Sequence, residues 1–346
     1  MATTGAERGP ADAAEALEAA DGVVIRPYRP GDETAIVDGF NRVFPWARRT
    51  VETWRAQFAR NPDALRCEIA VGADGAVLAQ FAGLPRRVRV DGAERSFSEI
   101  VDSFVDSSFR RGLKKPGLFA RTAYAYIDRH CRPDGEAFAY GLPNPDALRL
   151  GGRLLGYAPL SAVTLFVRDA APARAPDDLF VDEAAQWPAD FDGFWERFAA
   201  THPATVVRDR RYLEWRYARP GVAYRRFFVR DPKGVLVAAA VLRPEWLPDD
   251  FGPGTAAAAE WMVDARHPSA AALPALLPSL AARLGARRAA CVVPPVSVEA
   301  TAFDAAGFRR EPTKFLLVGR TYDPAFLTLE RARTDWYWTL GDFDVI

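Results

Sequence analysis

The order in which strand-like and helical segments follow one another constrains this chain more than any single motif. Val23–Tyr28 reads as a strand, and Pro30-Gly31-Asp32 opens a helix that runs to about Phe44. Ile36, Val37, Phe40, Val43 and Phe44 keep the three-to-four spacing of one buried helical face. Thr50 caps a second helix through Val51, Trp54 and Phe58, which Asn61-Pro62 ends. Strand-like runs follow at 65–71, 77–81, 86–90 and 96–105, with Asp74-Gly75 and Asp91-Gly92 as turn signals. Leu118, Phe119, Thr122, Ala123, Tyr126 and Ile127 form a helical stripe, followed by a strand at 137–142, a short helix at 144–152 and a strand at 160–167. Past an Ala- and Pro-rich stretch the order partly returns. Helices fit 191–200 and 209–217, strands 225–230, 235–242 and 257–263, a helix 269–284, a strand 289–293, a helix 297–306 and a strand 314–318. Two halves that share this order point to an internal structural repeat in a mixed α/β (α+β) chain.

Composition narrows the class. With 346 residues, 49% of them hydrophobic and 26% charged, the chain is long enough for two domains with a sizeable core. Lys+Arg and Asp+Glu are both 45, so the balance gives no reason to expect nucleic acid or an anionic membrane as a partner. Cys67, Cys131 and Cys291 are as scattered as His130, His202 and His267, which suggests neither a disulfide framework nor a metal site. No apolar run is long enough to span a bilayer, and the Ala-rich start carries Glu7, Asp12, Glu15 and Glu18 rather than a basic secretory leader. The expectation is a cytoplasmic protein with a disordered tail at 1–21 and a linker at 169–178.

The stretch Ser98–Phe119 carries most of the chemistry. A strand leads into Arg110, Arg111, Gly112, Lys114, Lys115, Pro116 and Gly117, and a helix begins at once with Leu118. Backbone N–H groups and cationic side chains at a helix N-terminus suit a phosphate or pyrophosphate. Pro116 fits a first helical turn and Gly117 allows close approach of a ligand, although a solvated basic turn has the same composition.

This loop, the strand Phe138–Asn144, the short helix ending Leu154-Leu155-Gly156-Tyr157 and the opening Ile25–Glu33 together resemble the GNAT acyltransferases. Arg208–Arg216 and the ending Asp335–Asp342 look like a longer, two-domain bacterial branch. The resemblance implies two tandem GNAT-like domains, each a central, mostly antiparallel sheet flanked by helices. It places an acetyl-CoA-binding domain at 22–168, a second GNAT-like domain at 179–320 and a packed C-terminal tail at 321–346. It also implies acetyl-CoA as acyl donor, transferred directly to a small-molecule or peptide amine. Val105, Arg110, Arg111, Gly112, Lys114, Lys115, Gly117, Leu118 and Asn144 are the implied cofactor contacts. The sequence departs from the family pattern in three places. The Gly112–Gly117 spacing is irregular. The positions where many members carry a proton-donating Tyr hold Gly152 and Phe303. The second half has Asp264–Ser269 in place of a basic glycine loop, which implies that it does not bind CoA.

For catalysis the candidates are Glu99 or Asp102 as base and Tyr140 as acid, with Tyr157 of similar standing. Strict strand alternation puts Asp102 and Asp106 on one face and Glu99 on the other. Arg208–Arg216 reads as an amphipathic helix with snorkelling arginines. The aromatic, acidic ending reads as a packing strap, or as a source of Asp342, Asp344 or the terminal carboxylate for a cationic amine. Rival readings are a degenerate CoA-binding or interaction protein and an aminoacyl-tRNA-dependent transferase.

Overall fold

The computed structural model describes residues 17–19, 22–109, 116–172, 179–245 and 252–344. The first half contains strands β1 (Leu17–Ala19), β2 (Val23–Pro27), β3 (Arg66–Val71), β4 (Val77–Val90), β5 (Ala93–Val105), β6 (Glu136–Gly141) and β7 (Ala158–Asp169). The second half supplies β8 (Phe180–Glu183), β9 (Ala204–Val206), β10 (Arg225–Arg230), β11 (Leu236–Arg243), β12 (Thr255–Val263), β13 (Arg288–Cys291), β14 (Arg309–Thr321) and β15 (Trp336–Tyr337). The helices are α1 (Glu33–Val43), α2 (Val51–Trp54), α3 (Leu118–His130), α4 (Pro145–Leu154), α5 (Phe191–Ala199), α6 (Arg210–Arg216), α7 (Leu277–Arg283), α8 (Val298–Ala305) and α9 (Leu329–Thr334).

All of these strands belong to one sheet, in the order β1-β2-β3-β4-β5-β6-β14-β7-β13-β12-β11-β10-β8, with β9 and β15 branching from β4. The two halves are tandem GNAT-like units with a mostly antiparallel sheet, but they exchange strands. β14 of the second half pairs antiparallel with both β6 and β7, and β7 of the first half pairs with β13. A boundary at 168–179 therefore divides the chain without dividing the sheet. Each half completes its hydrogen-bond ladder with a strand of the other, so neither presents a bare edge at the junction.

Side-chain alternation sorts the helices. Cys67, Ile69, Ala82, Leu84 and Val101 face α1 and α2, whereas Ala70, Ala79 and Phe81 face α3. α3 is seated closely because Gly83 has no side chain: a Cβ there would lie 2.1 Å from the Tyr126 hydroxyl, which itself bonds Ser98 Oγ at 2.5 Å.

Several sequence expectations change. The runs 77–81 and 86–90 are one strand, β4, through Pro85. That proline lies between Gly83, the last β4 residue opposed by β3, and Val88, the first opposed by β9. On that edge an N–H would have no ladder to serve. The helix expected over 269–284 starts as a 3₁₀ turn, Ala270–Leu276, containing Pro274, and becomes α-helical only over α7. Within the expected N-terminal tail, β1 pairs with β2. Residues 173–178 of the expected linker lie outside the described residues. Arg208 and Arg216 do not snorkel. Both are buried and grip the C-terminal tail, Arg208 through Asp342 Oδ2 at 2.5 Å, and Arg216 through the carbonyls of Gly341 and Phe343 at 2.9 and 2.8 Å.

Candidate active site

The parallel pairing of β5 and β6 runs from Ser96/Glu136 to Glu99/Tyr140 and then stops, while β5 continues to Val105. Beyond Glu99 the two strands are no longer paired, and a cavity of about 300 Å³ occupies the gap. Its wall changes character from one face of the sheet to the other. Phe40, Phe44 and Ala47 come from α1 and the loop after it; Phe81, Phe119, Leu155 and Tyr157 belong to the α3–α4 side. The cavity thus passes through the sheet. α3 and α4 both start beside it, with Phe119 in the first turn of one and Asn144 capping the other by accepting from Ala147 N at 2.9 Å.

Asp102 lies at the gap because β5 bulges there. Asp102 and Ser103 together oppose the single residue Phe81 of β4, and Asp102 has φ 44°, a left-handed conformation unusual for a non-glycine residue. The extra residue breaks strict alternation, so Val101 and Phe104 pack on the same side with α1. The expected separation of Asp102 from Glu99 onto opposite faces fails for this reason. Arg49 Nη2 donates to Asp102 Oδ1 at 2.7 Å and to Asp344 Oδ2 at 3.2 Å. Its Nη1 donates to Gln57 Oε1 at 2.5 Å, and Asn41 exchanges two hydrogen bonds with the Arg49 backbone. Oδ2 of Asp102 has no hydrogen-bond partner among the described residues. Burial pushes the Asp102 carboxyl up to about 7, with Arg49 pulling it down and Asp344 adding to the push.

The other expected catalytic residues are held differently. Glu99 is buried and accepts from Arg86 Nε and Nη2 at 3.1 and 2.5 Å. Burial raises its carboxyl and the Arg86 guanidinium opposes that. Tyr140 lines the cavity with its ring, but its hydroxyl donates to the Asp342 carbonyl at 3.1 Å. Tyr157 also lines the cavity and is half-buried on the α3–α4 side. Asp106 accepts from Ser108 and pairs with Arg42, away from the gap.

Of the expected cofactor contacts, Asn144 lines the cavity, Gly117 caps α3, Leu118 opens it and Val105 ends β5. Arg110, Arg111, Gly112, Lys114 and Lys115 lie outside the described residues. Among the described residues no group of His, Cys, Asp or Glu is arranged to hold a metal ion, and no helix is long and apolar enough to cross a membrane.

Sequence reasoning did not reach Arg49, which meets Asp102 only through the fold. Its one local signal is its place just before the Thr50 cap, which says nothing about a carboxylate in β5. Asp344 was within reach, since an acidic, aromatic ending is unlike a solvated tail.

The second half contains a gap of the same kind that is put to other use. β12 and β13 pair in parallel only as far as Ala258/Cys291, and β12 continues to Val263. The chain's own ending packs there. Tyr337 donates its hydroxyl to the Trp261 carbonyl, and Thr339 Oγ1 donates to Glu260 Oε2 at 3.0 Å. Gly341 permits the approach, since a Cβ would fall 2.3 Å from Glu260 Oε1 and 2.4 Å from the Tyr217 hydroxyl. Arg208 closes this arrangement by bonding both Glu260, at 2.7 Å, and Asp342.

Solved structures share this architecture. A conserved protein of unknown function from Enterococcus faecalis, described as a probable N-acyltransferase, superposes with a TM-score of 0.61 at 12% identity, over 87% of this chain and 73% of that one. N-myristoyltransferase from Saccharomyces cerevisiae, with bound myristoyl-CoA, gives 0.58 at 13% identity over 91% and 86%. A GCN5-related N-acetyltransferase from Kribbella flavida gives 0.59 at 15% identity over 87% and 71%. No protein-family profile and no curated protein matches the sequence. At these identities the likeness is one of fold, and the fold is the tandem GNAT architecture.

Proposed function

We propose that this chain is an acyl-CoA-dependent N-acyltransferase that moves an acetyl group from acetyl-CoA directly to a small-molecule or peptide amine. The observation that carries the reading is the through-sheet cavity at the β5–β6 gap, with a buried carboxyl at its wall whose second oxygen has no partner among the described residues. The two sides of the sheet give the two substrates separate approaches. CoA comes from the N-termini of α3 and α4, with its pyrophosphate on the loop of Arg110, Arg111, Gly112, Lys114 and Lys115 and its arm along Val105, Gly117, Leu118 and Asn144. The amine comes from the α1 side.

In this reading the thioester sits in the gap, where the β5 edge beyond Glu99 offers backbone N–H donors to the carbonyl oxygen as it gains charge. Asp102 acts as general base through Oδ2. Oδ1 stays on Arg49, which fixes the carboxyl in place. With its carboxyl pushed up to about 7, Asp102 is poised to exchange a proton near neutral pH. The amine nitrogen bonds to the acyl carbon, the carbon–sulfur bond breaks, Asp102 takes the proton from nitrogen, and the CoA thiolate is protonated from water. A covalent cysteine route is disfavoured, since Cys67, Cys131 and Cys291 are all buried and burial raises their thiols. Glu99 balances Arg86, and Tyr140 shapes the wall.

A second reading, CoA binding without turnover, is favoured by one observation: the Tyr140 hydroxyl is already committed to the Asp342 carbonyl. Following CoA thiol release from acetyl-CoA across a panel of primary amines separates the two. Amine-dependent release supports the transferase. Binding of acetyl-CoA with no release from any amine supports the second reading.

A further inference from the structure

The α1 side of the cavity shows which kind of amine it suits. Phe40 and Phe44 line it with ring centroids 4.9 Å apart, and Trp46 continues the row, meeting Phe44 edge-on at 5.8 Å. Trp46 is 79% exposed, the most exposed of the large hydrophobic residues described. The loop that presents it is pinned at its far end, where Arg49 is held through Asn41, Asp102 and Gln57. With Phe40 and Phe44 the indole makes one continuous aromatic surface that leads into the cavity and on which a flat apolar group can lie.

The polar groups along this path are few. Asp102 lies at the inner end with its carboxyl buried and held by Arg49, and Ser103 is beside it. The Arg49 guanidinium is taken up by Asp102, Asp344 and Gln57 and lies 4.9 Å above the Phe40 ring. An acceptor rich in hydroxyls would bury several of them against rings, without partners. An amine on an aromatic or apolar body would stack its body on the rings and bring its nitrogen to the carboxyl.

On the reading of this cavity as an acyl-transfer site, we propose that its acceptor is an amine with an aromatic body, bound along Phe40, Phe44 and Trp46 with its nitrogen at Asp102. Trp46 is then a specificity-determining residue for the acceptor.

The test uses the full chain with 2-phenylethylamine and glucosamine as acceptors. With acetyl-CoA, kcat/KM should be at least about tenfold higher for 2-phenylethylamine. Trp46→Ala should raise the KM for 2-phenylethylamine about fivefold with kcat nearly unchanged, and Trp46→Phe should restore most of it. In parallel, 2-phenylethylamine is titrated into CoA-saturated protein and tryptophan emission is followed. The wild type should change its emission and Trp46→Phe should lose that change. Preference for glucosamine, or a KM indifferent to Trp46→Ala, would overturn the acceptor assignment while leaving acyl transfer intact. If no amine is acylated, the transferase reading falls and the emission arm decides this inference alone. A Trp46-dependent change supports it, and no change at millimolar amine overturns it.

Discussion

Replacing Arg208 by Met tests how the C-terminal ending is held, and so what places Asp344 beside the site. Arg208 is fully buried and makes five polar contacts: Glu260 Oε2 at 2.7 Å, Asp342 Oδ2 at 2.5 Å, Thr205 Oγ1 at 2.8 Å, the Val206 carbonyl at 3.0 Å and Thr339 Oγ1 at 3.4 Å. Met fills similar space without charge, so the change strands two buried carboxyl groups, and breaking a buried ion pair from one side costs about 3–5 kcal/mol. Part of that cost depends on pH. Burial already pushes the Asp342 carboxyl up to about 7, against the pull of Arg208. Losing a charge-assisted hydrogen bond of about 1.5–3 kcal/mol would raise it by roughly one to two further units. A carboxyl raised on folding loses stability as pH climbs from its unfolded value towards its folded one, because the unfolded chain releases the proton first. At pH 5.5 the native Asp342 holds its proton in both proteins, so it adds little to the difference. At pH 8.5 the wild type has finished this loss, whereas the variant has lost more. Urea denaturation followed by circular dichroism should therefore show Arg208→Met destabilised by about 3–5 kcal/mol at pH 8.5 and by about 1–2 kcal/mol less at pH 5.5. Adding Asp342→Asn should flatten the difference between the two pH values. A penalty under about 1 kcal/mol at both, or one that grows towards acid, would refute the clamp.

Four further outcomes concern the gap. Asp102→Asn should lower kcat/KM by about 10²–10⁴-fold while acetyl-CoA affinity stays near wild type, read by thiol release and by calorimetry. The wild-type rate should fall as pH drops below about 7, where the Asp102 carboxyl takes up its proton. Arg49→Gln removes the charge that favours the carboxylate, so the same limb should move up by about one to two pH units; an unmoved profile in a folded variant would remove Asp102 as the titrating group. Tyr140→Phe should change the rate by less than about threefold and cost about 1 kcal/mol of stability, since its hydroxyl serves the Asp342 carbonyl.

How much of this was legible depends on the range over which each residue acts. Local pattern was enough for α1, where Ile36, Val37 and Phe40 are buried as their spacing implies, and for α4, where Asn144 caps as its type suggests. Pattern failed where the determinant is distant. Nothing near 309–321 says that β14 will leave its own half to lie between β6 and β7. The Asp102 bulge is also invisible locally, because Ser98–Val105 reads as one unbroken strand until the count of β4 residues opposite it is known. Arginine was the most misleading residue type. Arg208 and Arg216 have the spacing of a solvated helix edge, yet their partners lie more than a hundred residues away in the tail. The helix–sheet order, by contrast, brought Asp102, Tyr140 and Asn144 to the wall of one opening, with Glu99 turned to Arg86 instead, because the ends of β5 and β6 and the start of α4 are set by topology.

The central claim is that the β5–β6 gap receives an acyl-CoA. Calorimetric titration of acetyl-CoA into the full chain, and into Leu148→Trp, which places a bulky ring at the cavity wall, tests it most directly. The wild type should bind at one site per chain, as expected if the tail fills the second gap, and the variant at least about tenfold more weakly. No binding by the wild type, or equal binding by a folded Leu148→Trp, would contradict it.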